Sequence, residues 1–103
     1  VRSEDRPTAM LCYCHVDAEL IYQVLWRNGL KVPGDLSVIA FNDLPSTARM
    51  APPLSTVGFD AKNLAATVVK LLDDMIEHRP VETADTLLRP MLTLRASTAP
   101  CSA

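Results

Sequence analysis

The first half of the chain alternates short apolar runs with one amphipathic stretch. Residues 8–14 form a compact run with strand propensity. Asp17 is placed to cap a helix after it. Residues 36–41 have strand length and enough large side chains to be buried on both faces of a sheet. The apolar face of the intervening helix is Ala18, Leu20, Ile21, Val24 and Leu25. This order predicts a β-α-β unit within a parallel sheet.

Turn-forming residues separate these elements. Gly29 is suited to the left-handed conformation that closes a helix. Residues 33–35 read Pro-Gly-Asp and predict a turn before the second strand. Asn42 and Asp43 end that strand with polar side chains.

The second half has a different pattern. Residues 45–53 predict a loop with a single helical turn, and residues 54–59 predict a short extended segment. Asp60 is a suitable N-cap for the longest helix, which is predicted to run to about His78. Two short extended pieces follow on either side of Pro90. The tail at 96–103 is small and polar and is expected to fray.

Composition narrows the possible functions. The chain has 103 residues, a net charge of −2 and a pI of about 5.5, so it offers no basic face for nucleic acid. It contains no apolar run of membrane-spanning length. The strands are too few for a complete doubly wound sheet. The chain is therefore expected to be a piece of a larger α/β protein, or to need a partner.

Cysteines and acidic residues give no evidence of metal binding or catalysis. Three cysteines do not form a disulfide framework, and reduced cysteines in a cytoplasmic protein are expected. Cys12, Cys14 and His15 lack the second ligand pair that a zinc site needs. The carboxylates form no recognisable arrangement with a His or a nucleophile. The three glycines, at positions 29, 34 and 58, do not form a G-x-G-x-x-G phosphate-binding loop. No metal, no cofactor and no enzyme activity are predicted.

Several motifs together resemble a known family. The chain reads PTA at 7–9, GLKVPGDLSV at 29–38, FND at 41–43 and PPLSTV at 52–57, and it closes with RAST at 95–98. In this combination it resembles the C-terminal part of the effector-binding region of a lactose/galactose-repressor family transcription regulator. The resemblance covers about residues 6 to 100.

The resemblance implies a fold and a division of the chain. The fold class is α/β, a fragment of a periplasmic-binding-protein-like fold in which hinge crossings join two Rossmann-like parallel-sheet subdomains. Residues 6–54 would belong to the C-terminal subdomain, and 55–87 would be a crossing segment with a helix of the N-terminal subdomain. Residues 88–100 would return and form a C-terminal strand, and 101–103 would be a tail. The family's DNA-binding helix-turn-helix has no counterpart in this chain.

A ligand site is expected where the strands end. Ligands of open α/β sheets bind beyond the carboxyl ends of the strands. The family places an Asn-Asp pair after the first strand, and Cys14 and His15 stand there in this chain. His15 is either an altered ligand contact or a loop histidine at a site that has lost or changed its effector. Asn42 is a further ligand candidate, although Asx residues often bind the local backbone instead. Phe59, at a family cleft position, either stacks on a ligand or packs in the hinge.

The first helix carries the expected dimer interface. Tyr22, Leu25 and Trp26 lie on it, and in the family this helix lies near the interface between subunits. A core role for one of the aromatic residues is the alternative.

The resulting functional prediction is a regulator fragment that senses a small molecule and forms a homodimer in the cytoplasm. The effector would be sugar-like or nucleobase-like, and DNA would be bound only through the missing helix-turn-helix. The same fold leaves two alternatives: a periplasmic sugar-binding transport receptor, or a dimerisation module with no effector.

Overall fold

The structure is a computed structural model that describes residues 4–81 and 86–101. It divides into two compact units, one comprising Val1–Gly58 with Leu92–Ala103 and the other Phe59–Met91. The first unit therefore contains two separate stretches of the chain. The assignment of residues 55–87 to a crossing segment with a helix, and of residues 88–100 to a return crossing with a C-terminal strand, stays a prediction. The assignment of residues 101–103 to a tail also stays a prediction, and residues 102 and 103 lie outside the described residues.

A four-stranded sheet organises the chain. Its strands, in spatial and sequence order, are β1 (Ala9–Cys12), β2 (Ser37–Phe41), β3 (Ser55–Gly58) and β4 (Met91–Thr93). The first three strands are parallel, with Leu11 opposite Ile39 and Phe41 opposite Val57. The predicted β-α-β unit is confirmed, because helix α1 (His15–Arg27) connects β1 to β2.

The core of the first unit lies between α1 and one face of the sheet. It consists of Cys12, Ala18, Leu25, Leu36, Val38, Ala40 and Leu54. The expected burial of residues 36–41 on both sheet faces is wrong at the end of the strand, where Phe41 is 43% exposed. Alternation explains the difference, since Val38 and Ala40 point into the core while Ile39 and Phe41 point to the opposite face.

The boundaries of the first two elements differ from the prediction. β1 ends at Cys12 rather than Cys14, and α1 begins at His15 with Cys14 at its N-cap. Asp17 is therefore the third helical residue, and the prediction that it caps the helix is wrong. Gly29 ends α1 as expected, with a φ of 70°.

The second half contains two further helices. α2 (Pro45–Ala48) is the predicted single helical turn. α3 (Ala61–Ile76) ends two residues before His78, whose φ of 54° is incompatible with a continuing helix. The Asp60 cap is confirmed, since its carboxylate accepts hydrogen bonds from the backbone N–H groups of Lys62 and Asn63 at 3.0 and 3.4 Å. Within the described residues, no helix combines the length and apolarity needed to cross a membrane.

The segment after β4 is inserted into the first unit. Ser97 is fully buried, and its hydroxyl donates to the Val38 carbonyl at 2.5 Å and accepts from the Ser55 N–H at 2.7 Å. The Ser97 carbonyl accepts from the Val38 N–H at 2.9 Å. Thr98 shares a 2.9 Å hydrogen bond with the Ser55 hydroxyl. The expectation that residues 96–103 fray is therefore wrong for Ser97 and Thr98, because their hydroxyls satisfy buried backbone groups of β2 and β3.

Removing the Ser97 hydroxyl should destabilise the protein. Ser97→Ala leaves the Ser55 N–H buried without its acceptor, which costs about 1–3 kcal/mol. Urea unfolding of the complete protein measures this as a lower midpoint with an unchanged slope. Ser46→Ala on α2 is the matched control, and a smaller loss is expected there. Equal midpoints for the two variants would contradict the bridging role of Ser97.

Candidate functional site

Polar and aromatic side chains collect at one edge of the sheet. Because β1, β2 and β3 are parallel, their carboxyl ends lie at the same edge. Tyr13, Cys14 and His15 follow β1, while Asn42 and Asp43 follow β2. This edge is the place where ligands bind in open α/β sheets.

A depression of about 320 Å³ opens at this edge. It is lined by Tyr13, Phe41 and Asn42, and the side chains of Tyr13 and Phe41 are 86% and 43% exposed. Of the three, only Asn42 is among the residues proposed from the sequence. The sequence analysis did not predict Tyr13 and Phe41, because each directly precedes a pair of more polar residues, Cys14-His15 and Asn42-Asp43. The signal that finds them is an aromatic residue where each of two adjacent parallel strands ends.

The backbone places Asn42 at the mouth of this depression. Its φ is 77°, in the left-handed region that Asn tolerates better than most residues. Its N–H donates to the Val57 carbonyl at 2.9 Å, and the residue as a whole is exposed. The strand-end backbone bond is thus made by the main chain of Asn42, which leaves the side-chain amide at the surface.

Cys14 and His15 form the start of α1 rather than a loop. His15 is the first helical residue, so the description of it as a loop histidine is wrong: β1 ends earlier than expected and the helix begins earlier. No side chain caps this helix end. His15 is half-buried, and its Nδ1 is enclosed without a hydrogen-bond partner among residues 4–81 and 86–101. A buried polar atom of this kind calls for a partner such as a water molecule or a ligand.

The Asp43 carboxylate is paired with side chains of the same unit. Its Oδ1 pairs with Arg95 Nη2 at 2.8 Å and accepts from the Thr47 hydroxyl at 3.1 Å. Burial by itself raises the pKa of the Asp43 carboxyl, but the hydrogen bonds from Arg95 and Thr47 outweigh it and hold this pKa below its ordinary value. Asp43 therefore stays ionised and joins the end of β2 to the returning segment.

Gly58 fits closely against Asp43. A Cβ atom on Gly58 would lie 2.8 Å from the Asp43 nitrogen, a distance that backbone atoms cannot accommodate without moving. The end of β3 is therefore packed directly on the loop that carries Asn42 and Asp43.

Phe59 is the first residue of the second unit, where it is 48% exposed. It lines a depression of about 290 Å³ with Leu64, Thr86, Leu87 and Leu88. The structure thus brings together Asn42, Tyr13 and Phe41 in one depression and describes Phe59 within a separate unit. A role for Phe59 in ligand binding stays a prediction.

The three residues predicted at the dimer interface differ in exposure. Leu25 is only 5% exposed and packs in the core, whereas Trp26 is 81% exposed. Tyr22 is half-buried, and its hydroxyl donates to the Pro52 carbonyl at 3.0 Å. Burial raises the pKa of the Tyr22 hydroxyl. Between α1 and residues 51–52 lies a groove of about 260 Å³, lined by these three side chains and by Leu30, Lys31, Val32, Ala51 and Pro52.

The described residues show neither a disulfide at the three cysteines nor a metal-binding group. Cys12, Cys14 and Cys101 form no disulfide, and burial raises the pKa of the Cys12 thiol. Among residues 4–81 and 86–101, no three His, Cys, Asp or Glu side chains are grouped closely enough to hold a metal ion.

Comparison with known proteins assigns the family. The model of the periplasmic binding protein-like domain matches residues 1–98, and the chain belongs to this family. The arabinose metabolism transcriptional repressor of Geobacillus stearothermophilus is 34% identical over 96 residues, which are 92% of this chain and 26% of the repressor. This chain therefore spans about a quarter of that relative's length.

Solved structures of regulators share the fold. A LacI family transcriptional regulator from Enterococcus faecium with bound ribose superposes with a TM-score of 0.84 and 27% identity, over 92% of this chain and 35% of the regulator. The lac repressor dimer bound to operator and an anti-inducer gives a TM-score of 0.80 and 29% identity, over 89% of this chain and 32% of that one. The expected resemblance to lactose/galactose-repressor family regulators and the expected fold class are confirmed.

The Asp43–Arg95 pair should make stability depend on acidic pH. The Asp43 pKa is lower in the folded than in the unfolded chain, so its contribution is present above the unfolded pKa of about 4 and is lost as pH falls through the folded value. We expect Asp43→Asn to cost about 1 kcal/mol at pH 7, a modest value because the pair is partly exposed. Chemical unfolding measured from pH 7 down to the acid limit should show this difference shrinking.

Glu19→Gln, which removes an exposed carboxylate from α1, is the control for this measurement. Its effect at pH 7 should stay within about 0.5 kcal/mol. A difference between wild type and Asp43→Asn that grows on acidification would contradict the assignment of the ion pair.

Proposed function

We propose that this chain is part of the effector-sensing region of a cytoplasmic transcription regulator, and that a small molecule binds at the carboxyl edge of its sheet. The observation that carries the proposal is the depression at this edge with the Asn42 amide at its mouth. Cys14 and His15 begin α1 at the same edge. Family membership adds support, and so do the relatives, whose names describe repressors rather than enzymes.

The polar groups of this edge suit ligand recognition rather than catalysis. Asn42 supplies a hydrogen-bond donor and an acceptor in one amide. His15 supplies a buried ring nitrogen that lacks a protein partner among the described residues. Asp43 is neutralised by Arg95, so it is not the base of a catalytic pair. These groups bind and orient a small molecule.

Regulation follows if the ligand binds one conformation of the complete protein more tightly than another. A ligand shifts such an equilibrium only by its difference in affinity for the two states. The solved relatives support this proposal, because one is described with bound ribose and another with both operator DNA and an anti-inducer. In the complete regulator that we propose, a separate region of the protein would bind DNA.

Ligand-dependent stabilisation tests the effector site. The complete protein is melted with a panel of sugars, nucleosides and nucleobases at rising concentration. A compound that binds the folded state stabilises it by about 2.7 kcal/mol at 100 times its Kd, which raises the midpoint. Asn42→Ala and His15→Ala should abolish this shift.

Met75→Ala is the control, because Met75 is 63% exposed on α3 and has no assigned role in binding. It should keep the ligand-induced shift. A shift that survives in both Asn42→Ala and His15→Ala would place the ligand elsewhere.

We further propose that the regulator is a homodimer and that α1 contributes to its interface. Trp26 is the side chain best placed for this role, since it is large, aromatic and 81% exposed beside the α1 groove. Leu25 and Tyr22 support the groove from the core side. The lac repressor structure, described as a dimer, supports the proposal.

Sedimentation measures the contribution of Trp26. Trp26→Ala should weaken dimerisation at least about fivefold, as expected for an interface residue that contributes more than 1 kcal/mol. Val69→Ala, which truncates a 65% exposed side chain on α3, should leave the dimer unchanged. Leu25→Ala is not an equivalent test, because loss of this core side chain lowers the stability of the monomer. An unchanged dissociation constant for Trp26→Ala would contradict this interface.

A further inference from the structure

The short β2–α2 loop, residues 42–44, carries both the amide that faces the depression and a charged contact. Asn42 lines the depression, and Asp43 is the next residue. The Asp43 Oδ1 atom lies 2.8 Å from Arg95 Nη2 and accepts from the Thr47 hydroxyl at 3.1 Å. Because Asn42 and Asp43 share one planar peptide group, a contact that holds Asp43 also restricts where the Asn42 amide lies.

Arg95 holds this loop from the segment that returns to the first unit. The chain re-enters this unit at Leu92, three residues earlier. The Arg95 guanidinium acts in two directions, since Nη1 donates to the Leu54 carbonyl at 2.7 Å while Nη2 reaches Asp43. Its backbone N–H donates to the Ser55 hydroxyl at 2.8 Å. The donors of a guanidinium have a fixed planar geometry, so this side chain joins the start of β3 to the β2–α2 loop.

The same loop also contacts the segment by which the chain leaves the first unit. Gly58 is the last residue of this unit before the chain departs, and a Cβ atom there would lie 2.8 Å from the Asp43 nitrogen. The Asn42 N–H donates to the Val57 carbonyl at 2.9 Å. The β2–α2 loop is therefore in contact with both the departing and the returning segment.

We infer that Arg95 is a positioning residue of the ligand site, which holds the Asn42 amide through Asp43 and couples ligand binding to the segments where the chain leaves and re-enters the first unit. Arg95 does not line the depression, so it acts on the ligand through the loop. In a closely packed set of contacts, a shift at one contact has to be taken up by the others. The inference rests on the proposed function, because it assigns the regulation of that same site.

Hydrogen exchange of the free, complete protein tests the positioning role. The backbone amides of Asn42 and Leu44 report on the loop, because each donates a hydrogen bond within the first unit. Asp43→Asn and Arg95→Gln should each speed the exchange of both amides about fivefold, as expected when a partly exposed ion pair is lost and the loop opens locally.

The double variant separates a paired action from two independent disturbances. If Asp43 and Arg95 hold the loop as a pair, the two loop amides should exchange no faster in Asp43→Asn/Arg95→Gln than in either single variant. Lys70→Gln is the matched control, because it breaks an exposed 3.0 Å ion pair with Asp74 on α3 and should leave both amides unchanged. Additive effects of the two substitutions, or wild-type exchange in both single variants, would overturn the positioning role.

Exchange in the presence of ligand tests the coupling. Ribose, galactose, adenine and adenosine are each added to the complete protein at saturating concentration. In the wild type, a probe that binds should slow exchange at the Asn42 amide and also at the Arg95 amide in the returning segment. In Asp43→Asn, the same probe should slow exchange at Asn42 only. A pair with a purely structural role would leave the ligand-induced change at Arg95 the same in both proteins.

The outcomes distinguish this inference from the function on which it rests. Ligand protection that stays confined to the β2–α2 loop in the wild type would overturn the coupling and keep the proposed effector site. If no probe slows exchange and the wider panel of ligands raises no melting midpoint, the proposed function fails and the coupling fails with it. The exchange of the free protein still decides, in that case, whether Arg95 positions the loop.

Discussion

The buried hydroxyl of Ser97 is the contact on which the first unit depends. It lies between the starts of β2 and β3 and satisfies groups on both strands. The chain leaves this unit after Gly58 and returns at Leu92, so the contact joins Ser97 to residues that lie 42 and 59 positions earlier in the sequence. The hydroxyl is fully buried, so the strand groups that it satisfies would otherwise be left unpaired in the interior, and this contact fixes the returning segment against β2 and β3.

Arg95 extends the same connection to the candidate site. Its guanidinium donates to the Leu54 carbonyl at 2.7 Å and pairs with Asp43 at 2.8 Å. Asp43 directly follows Asn42, so the returning segment helps hold the loop that presents the Asn42 amide. The charged pair at this edge therefore maintains structure, and the Asn42 amide stays at the surface beside it.

The element order was predictable because it depends on local patterns. Strand-length apolar runs, helical spacing and turn residues gave β1, α1, β2 and α3 in the right order, and Asp60 and Gly29 act as predicted. The ends of elements were less predictable. Asp17 has the chemistry of a cap, but β1 ends at Cys12 and α1 begins at His15, so Cys14 takes the cap position. Propensity does not determine which of several adjacent residues begins a helix when sheet pairing sets the end of the preceding strand.

What the sequence determined by itself was the fold class, the family resemblance and the candidate residues Asn42, Cys14 and His15, since motif and periodicity are properties of neighbouring residues. Only the tertiary structure decided that Ser97 is buried, that Asp43 is paired with Arg95 and that Tyr13 lies beside Phe41. Each of these depends on two stretches of chain that are distant in sequence. A small polar residue has the same local pattern whether it is solvated or bridges two strands, and only long-range packing distinguishes the two.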